Sequence, residues 1–180
     1  MERLPEEELA FADLVVLGAR GEVKRGVRYN GSYIGIEYPG GDVPADIGVC
    51  TDVVIRAFRH AGIDLQLLIH EDMRENFALY PQVYGLSAPD PNMDHRRVRN
   101  QMRFFERFGE TLTLQVNDRL DEWRWGDVVY WIFPDGQLHA GIISDKKNRA
   151  GIPLVIHNAG RAVEEGALLR WEIIGHFRYQ

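Results

Sequence analysis

The sequence predicts an α+β fold, with helices first and an antiparallel meander after them. Apolar residues up to about position 108 recur at helical spacing, whereas beyond it short runs rich in Val, Ile, Tyr and Trp are separated by Asp-Gly, Lys-Asn and Gly turn signals. At 180 residues and 45% hydrophobic content there is material for one core. The chain therefore reads as a single domain over residues 1–180, with residues 1–28 forming an N-terminal helix and lead-in and residues 29–180 the core. No internal repeat, low-complexity tract or interdomain linker interrupts it.

Leu4 to about Leu17 reads as the first helix: Pro5 stands in its opening turn, three consecutive acids favour its N-terminus, and Gly18 is its stop signal. Tyr29, Tyr33, Ile34, Ile36 and Tyr38 suggest extended chain, with turns at Asn30-Gly31 and Pro39-Gly40-Gly41. From Cys50 onward Val53, Val54, Ala57, Phe58 and Ala61 mark a short amphipathic helix that Gly62 ends. A further short helix holds Leu65, Leu68, Asp72 and Phe77, before turns at Tyr80-Pro81 and Pro89-Asp90-Pro91-Asn92. Such a long connection within one domain is often functional. The next helix runs from about Arg97 to Phe108, with Val98, Met102, Phe105 and Phe108 on one side and Gly109 after it. Strands are expected at Thr111–Val116, Asp127–Phe133, Leu138–Ser144, Pro153–His157 and Ile173–Tyr179, the whole sheet packing against the Cys50 helix.

Net charge −6 and a pI near 5.5 argue against a nucleic-acid binder, because phosphate contacts need a surplus of basic residues. The one basic cluster, His95-Arg96-Arg97 with Arg99 and Arg103, reads as a solvated helix face or as a clamp on a carboxylate. No apolar stretch is long enough to span a bilayer, and the acidic start from Met1 to Glu8 does not have the make-up of a signal peptide. Either a cytoplasmic protein or one whose export segment has been removed fits this. A single cysteine forms no intramolecular disulfide. His70-Glu71-Asp72 lacks the spacing of a zinc helix, so no metal site is expected.

Cys50 stands directly after a turn-like run and opens a helix. Unpaired N–H groups and the positive end of the helix dipole there favour thiolate over thiol, and a thiolate attacks carbonyls. A nucleophilic cysteine also needs a base and a group to orient that base. His139, in the run Leu138-His139-Ala140-Gly141-Ile142, follows the Asp135-Gly136 turn and is expected to face the cysteine helix. His157 closes the next strand, and either His157 or Asn158 can hold the His139 ring, depending on register. One cysteine at a helix start followed by histidines on successive strands is a nucleophile–base–orienter pattern.

At these residues the chain resembles a family. Gly48-Val49-Cys50-Thr51-Asp52-Val53-Val54 is similar to the cysteine-helix motif of NlpC/p60-type cysteine peptidases. His139-Ala140-Gly141-Ile142-Ile143 and Val155-Ile156-His157-Asn158-Ala159 are similar to their two histidine strands, and Trp125-Gly126-Asp127-Val128-Val129 to the strand before them. The runs Tyr38 to Asp46, Asp94-His95-Arg96-Arg97-Val98 and Gly175-His176-Phe177-Arg178-Tyr179 resemble a bacterial branch of that papain-like clan, catalogued as a domain of unknown function. The clan commonly has Asp before the cysteine and Ser-Gly after it; here Val49 precedes and Thr51-Asp52 follows.

The resemblance implies a papain-like core, with Cys50 as nucleophile, His139 as general base and then acid, and His157 as the orienting residue. It implies that Tyr38, twelve positions before Cys50, borders the site and helps stabilise an oxyanion. Asp52 and Asn158 are the secondary candidates: Asp52 as acceptor for a backbone N–H or a substrate amine, Asn158 as the alternative orienter. The implied reaction is cofactor-free cleavage of an amide or peptide bond in a peptidoglycan stem or other peptide, through a thioester. That substrate implies the cell envelope. An acyltransferase, with Trp123, Trp125, Tyr130 and Trp131 lining an acceptor groove, and a non-catalytic domain binding wall peptides or a protein are the alternatives.

Overall fold

A computed structural model describes residues 9–179. The expected first helix begins outside that range, and its described part extends well beyond Gly18: α1 spans Phe11–Arg25. Its buried face is Val15, Val16, Ala19 and Glu22, at helical spacing. The stop is Gly26, at φ 65°, where Val27 N–H reaches Glu22 O and Gly26 N–H reaches Val23 O in a Schellman arrangement. Gly18 serves packing rather than termination. A Cβ there would lie 2.6 Å from His60 Cβ and 2.9 Å from Ala57 Cα, so its absence lets α1 press against α2, Cys50–His60. α1 is thus a buttress behind the cysteine helix.

α3, Leu65–Asn76, and α4, Val98–Phe108, complete the helical layer. On α4 the buried side is Val98, Asn100, Gln101, Phe104 and Phe105, while Phe108 is exposed and Met102 only partly covered. The expected apolar stripe is therefore rotated toward Phe104. The three-residue turn Asp94–Arg96 links α4 to the loop that precedes it.

The six-stranded sheet has the order β3-β8-β4-β5-β6-β7, with neighbours antiparallel. Its strands are β3 Glu110–Thr111, β4 Val128–Ile132, β5 Leu138–Lys147, β6 Pro153–Asn158, β7 Ala162–Glu165 and β8 Glu172–Arg178. Three features depart from the expected meander. The Thr111–Val116 strand shrinks to two residues, β7 is an additional strand, and β8 crosses back to sit between β3 and β4. The α+β layout stands.

Alternation along the strands divides the core into two layers. Tyr130, Ala140, Ile142 and Ile156 face the helices and pack with Val54, Phe58 and Phe105. Trp131, Ile143 and Val155 face away and pack with Trp123, Ala167 and Leu168. Three of the four aromatic residues suggested for a groove, Trp123, Tyr130 and Trp131, are thus core, and Trp125 is exposed. Among the described residues no helix is long and apolar enough to cross a membrane.

A separate two-stranded pairing matters for the site. β1, Arg28–Tyr29, runs parallel to β2, Ile47–Gly48, which leads into Cys50. On its other side β1 is tied to the loop beyond β6, through Tyr29 N–H to Gly160 O at 2.8 Å and Ala162 N–H to Val27 O at 2.8 Å. The segment from Val27 to Asn30 thereby straps the cysteine's approach to the end of the second histidine strand.

Candidate active site

Cys50 is the first residue of α2 because Val49, with extended backbone at φ −112°, stands at the N-cap. Valine offers no acceptor, so Asp52 closes the end instead, taking the Val49 N–H at 2.6 Å. Arg96 then grips Asp52 through Nε to Oδ1 and Nη2 to Oδ2, both at 2.9 Å. Thr51 Oγ1 donates to Arg96 O at 2.7 Å. Of the two tasks expected for Asp52 the backbone N–H is realised, and both oxygens are taken up within the fold. The basic cluster accordingly acts, through Arg96, as a carboxylate clamp.

The thiol lies buried between this turn and β5. The backbone amides of Ala140, Thr51 and Cys50 lie where they favour its anion. These contacts and the helix end favour the anion, but burial outweighs them and pushes the thiol up to about 11. The resting group is a thiol, contrary to the thiolate that the helix position alone suggests. A helix end supplies only about half a charge, less than full desolvation removes.

His139 is the residue before Ala140 on β5, and strand alternation points its side chain to the Trp131 side of the sheet rather than toward the cysteine helix, the orientation expected from the sequence. The His139 ring lies among Phe133, Trp171, Trp131 and His157. Its Nε2 is 2.9 Å from His157 Nδ1. Among the described residues no hydrogen bond joins Cys50 to either ring. The register pairs His157 with Gly141, and a Cβ on Gly141 would come within 3.2 Å of His157 Cβ and 3.1 Å of the Trp131 ring. That glycine makes room for the imidazole pair. Burial holds His139 down at about 3, with His157 adding to the effect, and also lowers His157 against the pull of Glu165.

The two orienter candidates separate cleanly. Asn158 turns to the strap, donating to Val27 O at 3.4 Å and accepting from Gly160 N–H at 3.2 Å, whereas His157 holds the His139 ring. Tyr38 is also elsewhere: half-exposed, it meets the His70 ring edge-on at 4.8 Å. Counting back along the chain misplaces it because residues 30–46 form an irregular loop.

The sequence model described as Domain of unknown function (DUF1287) matches residues 16–179. The chain belongs to the DUF1287 family. It is also 47% identical over 172 residues to "Uncharacterized protein YijF" of Escherichia coli (strain K12), covering 95% of this chain and 81% of that protein.

Two groups of this DUF1287 chain that sequence reasoning passed over belong beside the pair. The Tyr29 phenol is raised by burial and next by the charge Cys50 can carry, as is that of buried Tyr130, whereas Tyr38 feels Glu71 and Arg74 instead. The placement of Tyr29 depends on the parallel β1–β2 pairing, which two-residue strands do not announce. Glu165 Oε1 is 3.1 Å from His157 Nε2 and accepts from Arg170 Nη1 at 2.6 Å. Trp171 covers both imidazoles edge-on, 5.4 Å from His139 and 5.7 Å from His157. The segment 165–171 of the DUF1287 fold thus closes over the histidine pair. Among its described residues no three His, Cys, Asp or Glu side chains gather as a metal-binding set.

Proposed function

We propose that this protein is a cysteine hydrolase with a papain-like, NlpC/p60-type domain, cleaving an amide or peptide bond in bacterial cell-wall peptides in the envelope. One observation carries the reading. Cys50 stands at a helix start beside Ala140, the residue that follows His139 on β5, and His139 Nε2 lies 2.9 Å from a second histidine. In the reaction His139 Nδ1 takes the Cys50 proton as the sulfur attacks the substrate carbonyl. Amides of the first helical turn steady the oxyanion. The imidazolium then protonates the leaving amine, a thioester remains, and water activated by neutral His139 releases the acid. No cofactor takes part.

The resting pair is neutral, so the proton moves only as the substrate docks; a base and nucleophile that lack a hydrogen bond before substrate arrives often close on it. Purified peptidoglycan incubated with the protein is expected to release free amines or carboxylates, and Cys50→Ala to abolish that release. Release by Cys50→Ala at the wild-type rate overturns the reading.

A second reading has its own observation. A buried, protonated thiol without a hydrogen bond to an imidazole also suits a domain that binds wall peptides and leaves them intact. Alkylation of Cys50 followed against pH separates the two. A profile that changes in His139→Ala supports catalysis, and one that does not supports binding.

A further inference from the structure

We propose that Glu165 is a positioning residue that sets the tautomers of both imidazoles, so that His139 keeps a bare Nδ1. The inference deepens the hydrolase reading and rests on it for its catalytic meaning, but its structural content stands by itself.

A carboxylate only accepts hydrogen bonds. Arg170 Nη1 donates to Glu165 Oε1 at 2.6 Å, and His157 Nε2 lies 3.1 Å from the same oxygen. Arg170 keeps the carboxylate ionised, and its guanidinium also lies over the Trp171 ring at 5.2 Å. His157 Nε2 must therefore carry hydrogen. A neutral imidazole has one N–H, which leaves His157 Nδ1 as a lone pair. That lone pair faces His139 Nε2 at 2.9 Å, so the second hydrogen sits on His139 Nε2. The remaining atom, His139 Nδ1, is then a lone pair and can accept a proton from a thiol. Burial keeps both rings neutral, the condition under which one hydrogen per ring holds. Reversing the chain would need a hydrogen on Glu165 beside a guanidinium.

The consequence is directional. Without Glu165 nothing forces His157 to keep its hydrogen on Nε2. It can then donate from Nδ1 to His139 Nε2, which moves the His139 hydrogen to Nδ1 and removes the base.

Nitrogen-15 spectra of histidine-labelled protein near pH 7.5 test this directly. The wild type is expected to show His139 and His157 both as Nε2–H tautomers. In Glu165→Leu, at least one ring is expected to shift to Nδ1–H or to a mixture, and iodoacetamide alkylation of Cys50 to slow by about 10-fold, the low end of what losing an outer partner costs a metal-bound histidine. Glu165→Gln, whose amide oxygen still accepts, is expected to keep the wild-type tautomers and most of the rate. A wild-type spectrum with Nδ1–H on either ring overturns the inference, as does a folded Glu165→Leu with unchanged tautomers. The spectra require no turnover. If the tautomers follow Glu165 while Cys50→Ala still hydrolyses peptidoglycan, the hydrolase reading fails and the proton order remains.

Discussion

At the residue scale, the groups that hold the thiol turn are as consequential as the thiol. Asp52 and Arg96 are both almost fully buried, and removing one partner of such a pair strands the other as an uncompensated charge. Arg96→Leu is expected to cost about 3–5 kcal/mol in urea unfolding. The double variant Asp52→Leu/Arg96→Leu is expected to regain a large part of that loss, because no charge is left without a partner. A double variant no more stable than Arg96→Leu would contradict the assignment. Cys50, His139 and His157 were legible in the sequence because each sits in a short motif whose neighbours fix its place on a helix or strand. Tyr29 and Glu165 were not. Tyr29 is brought toward the cysteine's end of the fold only by a two-residue parallel pairing, and Glu165 lies in an acidic pair, Glu164-Glu165, that reads as solvated surface. Its neighbour Glu164 turns the other way, to Arg20, Ser144 and Lys146, and only the β6–β7 register separates the two roles.

At the element scale, the contact between α1 and α2 sets where the cysteine helix lies on the sheet. Gly18→Ala offers a gain in helix propensity of about 1 kcal/mol. The added methyl meets His60 Cβ and the Ala57 backbone at distances real side chains do not tolerate. Overpacking of this kind costs about 1–3 kcal/mol, so the variant is expected to unfold at lower urea than the wild type. A rise in the midpoint would show that α1 shifts freely. The helices from Cys50 onward were readable from periodicity, and β4, β5, β6 and β8 from their turn signals. The first helix was misjudged at its end because a glycine needed for close packing looks the same in sequence as a glycine needed to stop a helix. β7 was missed because Ala162-Val163-Glu164-Glu165 has one strong strand former in four positions.

At the scale of the whole molecule, buried histidines tie stability to pH. Burial holds His139 at about 3 and His95 at about 4; His95 Nδ1 is among the buried nitrogens without a hydrogen-bond partner in the described residues. Below about pH 6.5 the unfolded chain protonates both rings and the folded chain does not, so each lowers stability as pH falls toward 4, by about 1 kcal/mol per pH unit. Asp94, pushed up by burial to about 6, and Glu22, also raised by burial, work in the opposite sense over part of this range. Glu164, drawn down to about 2 by Arg20, Lys146 and Ser144 against its burial, matters only in stronger acid. The clean readout is therefore a difference: urea midpoints measured from pH 7 to 4.5 are expected to fall less steeply in His95→Gln than in the wild type. Equal slopes would show that His95 is protonated in the folded state. The placement of β8 has a consequence for biosynthesis. β4 leaves the ribosome some forty residues ahead of the strand that covers one of its edges. Throughout that interval Val128–Ile132, a wholly apolar run, has an open edge, and a nascent chain stalled there is the form a holdase chaperone would meet.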